Sequence, residues 1–171
     1  MRRLVLVGLL IVLPVPASAQ RINLDFPGLA DRAAEVVDIT LDAQMLRLAA
    51  KFLSTRDADE RSIREIVSRL EGIYVRSYEF DRRGEYDRGI VDRVRAQLGP
   101  TWKKVVNVRS RDRENVEVFF DTRGEVIAGL VVISAEPREL TIVNIVGPID
   151  VEKLAELGGQ FGIPKLEKKH E

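Results

Sequence analysis

The acids of Asp57-Ala58-Asp59-Glu60 have the spacing with which a calcium loop begins. Such a loop needs a glycine at its sixth position and a glutamate at its twelfth. Ser62 and Ser68 stand there instead. The acids suit a helix N-terminus better, where carboxylates complement the helix dipole. Gly158-Gly159-Gln160-Phe161-Gly162 has the glycines of a phosphate cradle, but it follows a helical pattern and lacks a trailing Lys-Ser/Thr. It reads as a helix cap and a turn. Arg109-Ser110-Arg111-Asp112-Arg113 is the densest basic run and reads as a solvated hairpin tip. None of Ser54, Ser62, Ser68, Ser77, Ser110 and Ser134 sits in a Gly-x-Ser-x-Gly elbow, and the single histidine, His170, lies in a charged tail. With no cysteine at all, disulfides, zinc ribbons and thiol catalysis are excluded, and no metal or cofactor is expected. An acid pair such as Glu79 with Asp81 is the remaining route to hydrolysis.

Binding candidates are few. Tyr74, Arg76, Tyr78 and Phe80 alternate along one predicted strand and so share a face. An aromatic–cation row of this kind forms either a ligand platform or the sheet surface beneath an amphipathic helix. Trp102 opens another strand, as a core or edge anchor or as a binding residue.

The elements that must position these residues follow from periodicity. Val36 to Leu41 reads as a strand, and Asp42 as the N-cap of a helix from about Asp42 to Leu53. Met45, Leu48, Ala49 and Phe52 are its expected buried stripe. A second helix runs from about Ala58 to Leu70, with Ile63, Ile66, Val67 and Leu70 inward. Ile73 to Phe80 is a strand; Tyr86 to Leu98 is a helix with Tyr86, Ile90, Val91, Val94 and Leu98 as its apolar stripe, stopped by Gly99-Pro100. Trp102–Arg109, Asn115–Phe120, Val126–Ile133 and Leu140–Val146 are four strands joined by short polar links, which implies an antiparallel meander. Asp150 is expected to cap a last helix carrying Val151, Leu154, Ala155 and Leu157 inward. The fold class is therefore α+β: helices packed on a largely antiparallel sheet, with the C-terminal meander joined by one or two N-terminal strands. Val126 to Ile133 is apolar on both faces, as a central strand covered on both sides would be. Its second cover is either helices of this chain or a dimer or ligand face.

Arg2 and Arg3, the apolar run from Leu4 to Leu13, and Ala17-Ser18-Ala19 describe a secretory signal peptide cleaved between Ala19 and Gln20. The run is shorter than the roughly 20 residues that span a bilayer. Residues 1–19 are thus the signal, 20–166 one α+β domain and 167–171 a charged tail. The full chain has 27 basic and 27 acidic residues, and removing the signal leaves two more acids than bases. That balance offers no footprint for nucleic acid. At 45% hydrophobic and 32% charged, the chain is globular rather than disordered.

Three stretches together resemble a known family: Gly72-Ile73-Tyr74-Val75-Arg76-Ser77-Tyr78-Glu79-Phe80-Asp81, Glu136 to Asp150, and Leu157-Gly158-Gly159-Gln160-Phe161-Gly162-Ile163-Pro164. The chain resembles the bacterial family called domain of unknown function 4252, from about Leu29 to Leu166. That resemblance implies an exported cell-envelope protein with no established enzymatic activity, and some members are encoded beside extracytoplasmic sigma-factor systems. Many members are lipoproteins. This chain has no cysteine to acylate, so no stable membrane anchor is expected in the mature form. The functional expectation is a periplasmic or secreted, non-enzymatic domain that binds a protein or envelope partner. The alternatives are a small-ligand carrier or carboxylate-based hydrolase, an accessory to envelope-stress signalling, and a homodimer through a sheet face.

Overall fold

The structure is a computed structural model and describes residues 21–53, 56–111 and 115–150. It contains six strands, β1 (Glu35–Asp42), β2 (Gly72–Glu79), β3 (Trp102–Val108), β4 (Asn115–Arg123), β5 (Val126–Ala135) and β6 (Glu139–Ile149). They form one sheet in the order β1-β2-β6-β5-β4-β3, every neighbouring pair antiparallel. The expected meander is β3 to β6, and both N-terminal strands extend it on the β6 side. Helices α1 (Ala43–Ala50) and α2 (Ala58–Arg69) connect β1 to β2, and α3 (Gly89–Arg95) lies between β2 and β3. The expected signal peptide, the expected last helix beyond Asp150 and the expected tail lie outside the described residues.

One face of the sheet is closed. Along β6, Leu140, Ile142 and Asn144 point to it; Tyr78, Phe119, Val131 and Ile133 join them from neighbouring strands. The segment Ile22–Leu29 and the apolar stripe Tyr86, Ile90, Val91 and Val94 complete this core. The α3 region keeps its expected stripe, although its regular turns span only Gly89–Arg95. The Asn144 side chain ties the N-terminal segment down: Oδ1 accepts from the Ile22 amide at 3.1 Å, and Nδ2 donates to the Leu130 carbonyl at 3.4 Å. A buried amide must find such partners or lose the desolvation energy outright.

The other face is covered at one end. There Leu46 of α1, Leu70 beyond α2 and Ile149 form a smaller core with Leu41, Ile73, Leu130 and Ile145. Asp42 caps α1 as expected, its Oδ1 accepting from the amides of Gln44 and Met45 at 2.9 and 2.8 Å. Asp57 does the same for α2 through the Glu60 amide at 3.1 Å, which gives Asp57 its helix-start role. Behind α2 the chain turns against Gly147, where φ is +123° and a Cβ would stand 2.8 Å from the Glu71 nitrogen. Glycine is required there both by conformation and by room.

The buried stripe expected for α1 is corrected. Leu46 and Ala50 face inward, while Met45 (49% exposed), Leu48 (48%) and Phe52 (83%) face solvent. Both sets have helical spacing. The helix is only eight residues long and packs beside α2, so an i, i+4 pair suffices to reach the core and the larger stripe is left outside.

Candidate functional site

The row of sequence candidates on β2 divides by depth. Tyr78 is buried in the closed core, and burial pushes its phenol above the ordinary value although Arg76 acts to lower it. Tyr74 and Arg76 are half-buried and line an open cavity of about 310 Å³ with Arg21, Ile22, Asn23, Leu24 and Asp25. The Arg21 guanidinium, not Arg76, stacks on the Tyr74 ring, 4.2 Å from its centre. Arg76 is paired with Asp38 of β1 and also donates to the Val75 carbonyl at 3.0 Å. Its charge is therefore spent inside the fold. Trp102 is half-buried against the same core but on β3, at the opposite edge of the sheet from β1. So Tyr74 and Arg76 meet, Tyr78 lies behind them as a core residue, and Trp102 does not join them. Ala19 and Gln20 are outside the described residues. Glu79 and Asp81 are both exposed and line neither this cavity nor the one beside α3 described below.

Charged groups that sequence reasoning passed over sit in β4. Glu117 and Asp121 are buried on the closed face, on either side of Phe119. Glu117 accepts from Arg95 Nε and Lys104 Nζ, each at 2.7 Å. Burial acts to raise its carboxyl, but those two donors outweigh it and hold it below the ordinary value. Asp121 accepts from Arg123 at 2.9 Å. The signal was strand parity: Glu117 and Asp121 alternate with Phe119, so a core-facing Phe119 forces both acids inward. Among the described residues, no three His, Cys, Asp or Glu side chains cluster as metal ligands would.

The rest of the second face lies outside both cores among the described residues. Its residues fall in cross-strand rows. One row runs Ile39, Val75, Val143, Val132, Val118, Val106, crossing all six strands in register. Every member is β-branched, and none belongs to either core. The central four are half-buried, while Ile39 and Val106 at the two edges are 40% and 42% exposed. The next row outward is Val37, Ser77, Thr141, Ser134, Val116, Val108. Beyond it come three acids, Glu35, Glu79 and Glu139, also in register. With strands about 4.8 Å apart and same-face residues about 6.8 Å apart, the two open rows cover roughly 400 Å². The centre of the second row, Ser77, Thr141 and Ser134, is polar, so the continuous apolar part is the first row.

Among the described residues, no helix is long and apolar enough to cross a membrane. No curated protein and no solved structure matches the chain. The family model of a domain of unknown function, DUF4252, matches residues 31–157, a span that holds the whole six-stranded sheet and both helices of its open face. The chain belongs to that family.

Proposed function

We propose that this chain is an exported, non-enzymatic binding domain of the bacterial cell envelope, and that the open half of its sheet docks an amphipathic helix of a partner protein. The observation that carries the reading is the continuous row from Ile39 to Val106, which belongs to neither core among the described residues. A helix fits better than a second sheet. Helices α1 and α2 already stand on this face at one end, and a sheet laid upon it would have to share their layer. A helix set beside them would complete the layer instead. The carboxylates of Glu35, Glu79 and Glu139 border the open end, so the partner helix carries basic residues there. Outward-facing Met45 and Leu48 on α1, with Phe52 just beyond its end, add apolar surface. Export rests on the residues from Arg2 to Ala19, which have the pattern of a signal peptide.

The test uses a synthetic amphipathic Leu/Lys helix of 18 residues and a scrambled peptide of the same composition, titrated calorimetrically. Saturable binding of the amphipathic peptide, lost in Val118→Lys and Ile39→Lys proteins of unchanged circular dichroism, supports the reading. Equal binding of the scrambled peptide, or no effect of either substitution, sinks it. Mass spectrometry of the protein recovered from the producing bacterium checks export separately, with a mature chain beginning at Gln20 as the expected result.

A further inference from the structure

A second cavity, of about 320 Å³, lies on the closed side of the sheet, between α3 and the ends of β3, β4 and β5. Its floor is aliphatic: Val91, Ile133 and Ala135. Its rim is polar and basic, with Arg88, Arg95, Arg109, Asn107 and Asn115. The acids of the site are already engaged. Glu117 holds Arg95 and Lys104, and Asp92 pairs with the same Arg95. Arg88 and Arg109 have no acid partner within ion-pair distance among the described residues. The cavity therefore combines an apolar floor with two guanidinium groups that have no acid partner among the described residues. Arg109 is the first residue of the basic run that sequence alone reads as a solvated turn.

We propose that this cavity is a binding site for a small organic oxyanion, a carboxylate or phosphate carrying a compact apolar body. The guanidinium fork matches the planar or tetrahedral oxygens of such a head group and donates two hydrogen bonds at once. Asn107 and Asn115 supply carboxamide donors, although Asn115 Oδ1 is already occupied by the Ser110 amide at 3.0 Å. The aliphatic floor takes the body of the ligand, in the usual division of a pocket into apolar surface and a few orienting polar groups. Glu117 is the positioning residue: by engaging Arg95 and Lys104 it fixes the wall and leaves Arg88 and Arg109 to set the charge that a ligand meets.

The test is an amide-resolved NMR titration of the full mature chain with four probes: phenyl phosphate, phenylacetate, inorganic phosphate and benzyl alcohol. The two aromatic anions are expected to shift the amides of Val91, Asn107 and Ala135 saturably. Whichever binds more tightly identifies the head group. Inorganic phosphate is expected to bind at least tenfold more weakly, and benzyl alcohol not to saturate. Arg88→Gln and Arg109→Gln should each weaken binding at least fivefold, and added salt should weaken it further. Arg82→Gln, at an exposed arginine paired with Glu85 outside the cavity, is the control and should change nothing. No saturable shift at these amides up to about 10 mM of either anion, weaker than any useful affinity, overturns the site. So does equal loss in the Arg82→Gln control, or inorganic phosphate binding as tightly as phenyl phosphate.

Discussion

Ile142 and Val143 are neighbours in β6, similar in chemistry and opposite in fate. Ile142 points into the closed face, is fully buried, and is held beneath the N-terminal segment and α3. Val143 points to the open face, is half-buried among other strands, and touches neither core. The sheet is thus apolar on both sides but closed on only one. The closed side is where apolar burial stabilises the fold. The open side keeps apolar residues at positions that belong to neither core among the described residues.

Two single truncations test that contrast most directly. Ile142→Ala is expected to cost about 2–5 kcal/mol, the range for a large-to-small change in a packed core. Val143→Ala is expected to cost under about 1 kcal/mol, because a half-exposed side chain leaves no closed cavity. Urea unfolding of both proteins measures the gap. If Val143→Ala costs as much as Ile142→Ala, the open face is covered by this chain itself, and the docking proposal loses its surface.

The second effect concerns the strap across the closed face. Asn144→Ala removes the acceptor for the Ile22 amide and leaves that buried N–H unmet. The expected loss is about 1–3 kcal/mol. Hydrogen exchange should quicken at Ile22 while the amides of Val75 and Val132 stay protected. Uniform quickening over both faces would mean that the strap and the sheet are one cooperative unit.

Much of this architecture was legible in the chain. The β3–β6 meander was readable because its links are short and its strands alternate or run apolar. The α3 stripe was readable because Tyr86, Ile90, Val91 and Val94 admit only one inward face. The α1 stripe was misread because two sets of residues fit the helical period, and periodicity cannot say which set meets a neighbour. Pairing of Arg76 with Asp38 was not legible either, since it depends on β1 lying in register beside β2. The open valine row is a property of five pairings at once, and no local pattern contains it. Glu117 was readable in principle from parity with Phe119, but its two cationic partners come from α3 and β3.

A pH effect tests whether the closed face tolerates its buried acid only because it is paired. The Glu117 carboxyl is lowered in the folded protein from an ordinary value of 4.5. Its contribution is therefore complete above that value and is lost as pH falls through the lower, folded value. Glu117→Gln should be less stable than the natural protein at neutral pH and should approach it at pH values below the folded pKa. Thermal unfolding followed from neutral pH into the acid range measures this convergence. A constant gap across the range would assign Glu117 a packing role and remove its electrostatic one.

The smallest expected effect on stability falls on the open face. Ile39→Lys and Val106→Lys place a charge at the two exposed ends of the valine row, where the added ammonium stays in water. Each should change stability by no more than about 0.5 kcal/mol, as surface substitutions do. Their effect on docking should be far larger, because each puts an unpaired charge against the apolar face of the incoming helix. If both properties change together, the row is structural, and the two faces differ only in degree. If stability holds while peptide binding is lost, the difference between Ile142 and Val143 is a division of labour: one face folds the protein, and the other meets its partner.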